Sequence, residues 1–231
     1  MTATSQPITS TVVVKPLVAK QILRSKSGDI AKRLFDIIFS LLVLILCAPI
    51  YLLLAIAIAA SSSGSIFYIQ ERVGKNYRHF GCIKFRTMIP DADRVLHEMM
   101  AQSADLRQEF SENFKLKEDP RITKIGKFLR TTNLDEFPQF INVLKGEMSI
   151  VGPRPLVPEE IERYGTQIDR ILTIRPGITG LWQVSGRNDI PYAQRIRIDV
   201  NYVKHRNFWL DLRIVLKTVL MTIIPKNNGA Y

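Results

Sequence analysis

Two adjacent carboxylates, Asp135 and Glu136, stand in the stretch TTNLDEFPQF, directly before Pro138. Proline lacks an N–H and belongs in the first turn of a helix, here one that continues through FINVL. Both carboxylates are therefore predicted at or just before a helix N-terminus, where the macrodipole stabilises negative charge. An oriented, ionised carboxylate can hold Mg²⁺ or attack phosphorus. Acidic residues also cap helices for structural reasons alone, and this stretch by itself allows both readings. The cations nearby in sequence narrow the choice. MSIVGPRP (148–155) fixes Arg154 between two prolines, and RPGITGLWQVSGR (175–187) brackets three glycines with Arg175 and Arg187. IKFRTM (83–88) adds Lys84 and Arg86, expected to alternate onto one face of a strand, and Arg130 ends a short helix. Glycine permits close backbone approach, and the arginine fork matches phosphate oxygens in pairs. Carboxylates beside cations held in Pro/Gly turns form the pattern of a diphosphate site. Lys75, Asn76 and Trp182 are expected to be structural.

These residues need elements to hold them, and the chain offers an unusual one. From Ile37 to Ala60 run 24 residues without a charge, IIFSLLVLILCAPIYLLLAIAIAA. As a helix this is ~36 Å long, against a hydrocarbon core of ~30 Å. Pro49 interrupts it, so two topologies arise: a kinked span, or a re-entrant helix–break–helix hairpin that returns to the side it entered. Lys15, Lys20, Arg24, Lys26, Lys32 and Arg33 precede the run, and Arg72, Lys75 and Arg78 follow it. Basic residues on both flanks favour the hairpin, which leaves both in the cytoplasm. Near the C-terminus, residues 207–224 place Phe208, Trp209, Leu212, Val215, Leu216, Val219, Leu220 and Ile223 on one helical face. Asn207, Asp211, Arg213, Lys217 and Thr218 take the other half. Such a helix lies in a membrane interface or packs on its own core.

The remaining periodicities predict a strand pair in IFYIQERVG and FGCIKFRTM, and helices over about 91–117, 122–130, 134–145, 156–164, 191–205 and 207–224. The expected fold class is α+β, mainly helical. Its expected parts are a mobile basic arm over 1–30, a re-entrant membrane helix over 31–62 broken at Pro49, a small cytoplasmic domain over 63–206, and an interfacial helix and tail over 207–231. The chain of 231 residues is long enough for that core. Cys47 and Cys82 form neither a CxxC pair nor a disulfide framework, and the three histidines are too dispersed for an HExxH helix. The net charge of +11 calls for an anionic partner. Nucleic acid fits poorly, because the arginines lie in turns beside carboxylates rather than along one helix face. A silent scaffold for a polysaccharide assembly complex is disfavoured by the intact acidic pair.

KFRTM, TNLDEFPQF, EMSIVGPRP and RPGITGLWQVSGR, in this order, resemble the bacterial sugar transferase family, the monotopic phosphoglycosyl transferases. The likeness runs from about Lys32 to Tyr231, and the ending Gly229-Ala230-Tyr231 is similar to the hexose-transferring branch. The resemblance implies transfer of a hexose 1-phosphate, with galactose or glucose as the sugar, from a UDP-sugar to undecaprenyl phosphate with release of UMP. It implies the first membrane step of exopolysaccharide or O-antigen assembly, on the cytoplasmic face of the bacterial inner membrane and in contact with its lipid. A homodimer is compatible with it. It further implies Asp135 as the nucleophile that carries the phosphosugar and a ligand of Mg²⁺, with Glu136 assisting in metal or proton handling. Arg154 matches a phosphate-binding arginine, with Lys84, Arg86 and Arg130 as weaker matches. The chain departs from the pattern at Ala48, where the family often has Ser, and at Asn133 and Phe137 around the acidic pair.

Overall fold

The apolar run becomes two helices set 62° apart rather than one rod. The computed structural model describes residues 26–113, 116, 118–186 and 190–223. In it α1 covers Lys26–Leu46 and α2 covers Ala48–Ser61. The break falls at Cys47, ahead of the expected Pro49, which instead occupies the first turn of α2. A missing N–H costs nothing there, and the proline ring excludes the carbonyl four residues back, so the bend accumulates on its N-terminal side. Residues 26–30, expected in the arm, already belong to α1. The rest of the arm lies outside the described residues. No single helix among those described is long and apolar enough to cross a membrane; the bent pair together passes by length and composition.

The expected strand pair forms, with β1 over Phe67–Val73 antiparallel to β2 over His79–Phe85 and Tyr68 opposite Lys84. The helix expected over 91–117 divides into α3, Ala92–Gln102, and α4, Ala104–Asn113. Ser103 is extended there, and its hydroxyl accepts from the Leu106 N–H, the local competition with helix typical of serine. Then come α5 over Lys124–Thr132 and α6 over Gln139–Lys145. The continuous helix predicted over 134–145 is instead a 3₁₀ turn, Leu134–Glu136, followed by α6. Next are β3, Ser149–Val151, α7, Ile161–Tyr164, α8, Ile168–Ile171, and β4, Gly177–Thr179. The chain closes with α9, Tyr192–His205, and α10, Phe208–Ile223. β3 and β4 pair in parallel, a contact that three-residue strands are too short to announce by alternation. Gly177 is required in it: a Cβ there would stand 2.1 Å from the Gly152 nitrogen.

Val73, Met148, Val151, Ile171, Tyr202 and Ile214 fill the main core. The hairpin is fastened to this body by polar groups at both ends. From α1, Arg33 donates to the Val143 and Leu144 carbonyls at 2.6 and 2.9 Å, and Lys32 pairs with Asp211 at 2.7 Å. The buried Asp36 carboxylate accepts from the Ile150 N–H and the Ser149 hydroxyl, each at 3.1 Å. After α2, Arg86 donates to the Ser62 and Ser63 carbonyls at 2.7 and 2.8 Å. Asp36→Ala would leave the buried Ile150 N–H short of a partner, while the Ser149 hydroxyl keeps the Val151 carbonyl at 3.1 Å, so unfolding in detergent is expected at roughly 1–3 kcal/mol lower stability. A melting temperature unchanged from the parent would count against that role.

The C-terminal helix is turned from the expected division into two faces. Asp211, from the predicted polar half, is buried with Ile214 and Val215, drawn in by Lys32 and by the Tyr202 hydroxyl at 2.7 Å. Trp209, Leu216, Val219 and Leu220 are exposed. α10 therefore packs on the core and presents an apolar outer surface at once. The outer sides of α1 and α2 do the same, through Ile38, Ile45 and Leu53 among others.

Candidate active site

The acidic pair owes its position to a change of direction at Asn133. That residue ends α5 in the left-handed region, at φ 57° and ψ 19°, which asparagine tolerates better than most residues. The chain then makes the single 3₁₀ turn carrying Asp135 and Glu136, and Pro138 precedes α6. Phe137 anchors the turn from below. Its ring packs on Tyr51 at 5.8 Å and Phe140 at 6.0 Å, and its carbonyl accepts from the Tyr51 hydroxyl at 3.0 Å. Tyr51 lies in α2, so the first turns of the hairpin's second arm hold the acidic turn directly.

Lys84 from β2 donates to Glu136 at 3.0 Å, with both side chains only partly exposed. Burial works to raise the Glu136 carboxyl, but Lys84, and then Arg154 and Arg72, outweigh it and leave it below the usual carboxylate range. Asp135 behaves oppositely. Burial first, and the Glu136 charge second, push it up to about 6, while Lys84 and Arg130 pull the other way. Two neighbouring carboxylates are thus driven apart, one firmly ionised and the other poised near neutrality, a division of labour common at reacting sites.

The arginines divide as well. Arg130 is fixed by its Nε donating to the Thr87 hydroxyl at 3.0 Å, and its charge bears on Asp135. Arg154, presented by the GPRP turn, lines the same cavity as the acidic pair, and its charge bears on Glu136. Arg86 is a correction. It lies one residue past β2 and lines the cavity, but its guanidinium is taken up by the carbonyls at the end of α2. Alternation governs only residues within the strand, and β2 ends at Phe85, so the direction of the Arg86 side chain is set by the carbonyls that receive it. Arg175 is a second correction: its Nε donates to the Gly146 carbonyl at 2.7 Å, behind α6, and it does not line the cavity. Arg187 lies outside the described residues.

Three contributors escaped the sequence reading. Arg72 is buried at the end of β1, donates to the Pro155 carbonyl at 2.9 Å, and adds to the field around Glu136. Thr87 holds Arg130, and Tyr51 holds Phe137. Only Arg72 left a trace in the sequence, as a cation on the inward side of a strand. Its partner is a carbonyl 83 positions away, which no local pattern reveals.

The cavity around these groups measures about 2250 Å³. That exceeds the ~300–1,000 Å³ of an ordinary single-ligand pocket and leaves space for two substrates at once. Comparison of the sequence with known proteins fixes its class: the profile of the bacterial sugar transferase family matches residues 27–225. The chain belongs to that family. It is 44% identical over 209 residues to the undecaprenyl-phosphate galactose phosphotransferase of Salmonella typhimurium, covering 90% of this chain and 43% of that protein. It is 47% identical over 209 residues to an uncharacterized sugar transferase of Haemophilus influenzae, covering 90% and 44%. It is also 46% identical over 204 residues to the exopolysaccharide production protein ExoY of Sinorhizobium fredii, covering 88% and 89%. The chain thus spans less than half the length of the first two relatives and most of the third.

One carboxylate of the acidic pair stands available to a divalent cation. Among the described residues no group of three or more His, Cys, Asp or Glu side chains converges. Mg²⁺ commonly takes one or two carboxylates and completes its shell with water and substrate phosphate oxygens. Glu136 is engaged by Lys84, which leaves Asp135 as the protein ligand such an ion would use.

Proposed function

We propose that this protein transfers a hexose 1-phosphate from a UDP-sugar to undecaprenyl phosphate and releases UMP. The observation that carries this reading is the Asp135 carboxyl, poised near pH 6 inside a cavity walled by Lys84, Arg130 and Arg154. The names of the relatives point the same way: one is an undecaprenyl-phosphate galactose phosphotransferase from Salmonella typhimurium, another a UDP-glucose:undecaprenyl-phosphate glucose-1-phosphate transferase from Klebsiella pneumoniae. UDP-galactose and UDP-glucose are therefore the donors of choice.

In the first step an Asp135 oxygen attacks the phosphorus that bears the sugar. The bond from that phosphorus to the bridging oxygen breaks, UMP leaves, and a phosphosugar–aspartyl ester remains. In the second step an oxygen of the lipid phosphate attacks the same phosphorus, the aspartyl–phosphorus bond breaks, and the carboxylate is restored. Arg130 and Arg154 neutralise the equatorial oxygens. Lys84 keeps Glu136 ionised and in place, and Glu136 in turn holds the Lys84 ammonium beside the acidic turn. Magnesium bound at Asp135 and the diphosphate would supply further charge neutralisation for the leaving group.

The way the hairpin is held supports one membrane disposition over the other. A single span would put Lys32 and Ser62 on opposite sides of a bilayer. Here Lys32 and Arg33 clasp α10 and α6, while Arg86 clasps the end of α2, so both ends meet the same globular body. Fourteen residues of α2 reach only ~21 Å, short of a ~30 Å core. Both facts support a re-entrant hairpin; the basic residues on both of its flanks favour the cytoplasmic face of the inner membrane for the catalytic body, with the exposed apolar side of α10 lying in the interface.

The test is UMP release by detergent-solubilised protein with Mg²⁺, undecaprenyl phosphate and a panel of UDP-sugars. Lipid-dependent UMP from a hexose donor is the expected result, and silence with every donor in folded protein would overturn the reading. Because the attacking group must be ionised, kcat/KM is expected to fall about tenfold per pH unit below about pH 6. A flat profile down to pH 4.5 would show that the Asp135 carboxyl is not raised in the working enzyme.

A further inference from the structure

The cavity at the acidic pair does not end there. It extends to Phe39 and Val43 of the C-terminal half of α1 and Cys47 after it, and to Val215, Val219 and Met221 of α10. This arm differs in chemistry from the centre. Lys84, Arg130 and Arg154 line the centre, whereas the residues that line the arm from these helix segments are uncharged, the exposed Lys217 of α10 standing outside the lining. Its hydroxyls are already engaged. Thr179 and Thr218 bond each other at 2.7 Å, Thr218 also donates to the Ile214 carbonyl at 2.8 Å, and Thr222 donates to the Thr218 carbonyl at 3.0 Å. A sugar or a uracil would find little there to replace its lost water, and burying unmatched polar groups is costly. An apolar chain loses nothing.

The outlet of the arm has the same character. The outward sides of the two helices that form its walls carry Leu42, Ile45 and Leu46 on α1 and Leu216 and Leu220 on α10, all exposed. A ligand with an anionic head and a long apolar tail would therefore place its head among the cations and its tail along the arm. The tail would pass onto the apolar outer surface, alongside the exposed Lys217 of α10. We infer that the groove between α1 and α10 holds the first isoprene units of a polyprenyl phosphate, and that Val43 and Val219 are determinants of acceptor binding. The inference rests on the transferase reading for the identity of the amphiphile, and on the cavity for its path. It also assigns the donor to the remaining, polar part of the cavity, between the acidic pair and α5.

Two measurements test it together. A photo-crosslinking residue is placed at position 219 of the full chain in nanodiscs containing undecaprenyl phosphate, with a second placed at Leu53 on the exposed side of α2 as control. Capture of undecaprenyl phosphate at position 219, competed by added farnesyl phosphate, is expected, whereas capture of lipid at position 53 should not be competed. In the second measurement, Val219→Trp is expected to raise KM for undecaprenyl phosphate at least about tenfold, with the KM for the UDP-sugar unchanged, because a filled groove weakens only the acceptor. Lipid-dependent UMP release with no competed crosslink at position 219 overturns the groove and keeps the transferase reading. A competed crosslink in folded protein that releases no UMP from any UDP-sugar keeps the groove and overturns the transferase reading. A Val219→Trp protein that folds and keeps the parent acceptor KM also overturns the groove.

Discussion

An Asp135→Asn protein is expected to fold, to melt a few degrees above the parent at pH 8, and to lose turnover by roughly 10⁴-fold or more, the scale of removing a nucleophile. The gain in stability follows from the same environment that makes the residue reactive. Burial and the Glu136 charge push the Asp135 carboxyl from 3.8 up to about 6 in the folded protein. A carboxyl raised on folding binds its proton more tightly in the native state than in the unfolded chain. Its charge therefore costs stability at pH values above about 6, the cost falls away as pH drops from 6 to 3.8, and it is absent below 3.8. Asparagine has the shape without the charge. The stabilisation at pH 8 is expected on the order of 1–2 kcal/mol, or a few degrees for a chain of this size, after allowing for screening by nearby cations and solvent. At pH 4 the two proteins should melt together. Thermal unfolding at both pH values, beside a UMP assay, checks stability and activity on the same samples. An Asp135→Asn protein that lost stability at pH 8 would show that the carboxylate is structural, the plain capping role its sequence position also allows. Retained turnover in a well-folded sample would remove it from the chemistry.

That ambiguity between capping and catalysis marks the boundary of what the sequence discloses. The hairpin, the β1–β2 pair, α5, α9 and α10 were legible because each has a run of residues long enough to show a period. The acidic pair was legible because Pro138 dates the start of α6. Three kinds of feature were not. Cys47 as the bend, and the 3₁₀ turn at Leu134–Glu136, depend on one or two dihedral angles, at Cys47 and at Asn133, that no periodicity carries. The β3–β4 pair is set by contact between Gly152 and Gly177, which are far apart in sequence. The separation of working from structural arginines depends on which carbonyls happen to be near. Arg86 and Arg130 both stand near the ends of short elements in recognisable motifs. One spends its guanidinium on the end of α2 and the other is turned toward Asp135. Sequence could mark both as cations held near the site, but not say which charge remains for a phosphate.

The position of Arg130 leads to the second large effect, at a residue that carries no chemistry at all. Gly126 sits one helical turn before Arg130 on α5, against the chain leaving β2. A Cβ at Gly126 would stand 1.9 Å from the Thr87 carbonyl oxygen and 2.8 Å from the Thr87 Cα. These are backbone atoms, and that oxygen is further held by the Thr123 N–H at 3.0 Å, so it cannot swing aside. The same Thr87 supplies the hydroxyl that fixes Arg130. In Gly126→Ala, α5 must move away from Thr87 by a sizeable fraction of an ångström or more, and Arg130 moves with it. Overpacking of this kind is expected to cost about 3 kcal/mol, roughly 6–12 °C in melting temperature. Displacing a positioned cation by such a distance is expected to lower kcat/KM by about 10²-fold. Loss of activity alone would not separate misplacement from unfolding, but the pH profile does. Arg130 holds the Asp135 carboxyl down, so withdrawing it should move the acid limb of kcat/KM to higher pH. A merely less stable protein would keep the limb where it was. Gly81→Ala is the matched control, because its Cβ would meet only the Ile69 Cγ2 methyl at 2.7 Å, the end of an exposed side chain that can turn away. If Gly126→Ala and Gly81→Ala gave the same small change in melting temperature and pH profile, the packing of α5 against Thr87 would not be what sets Arg130 beside Asp135.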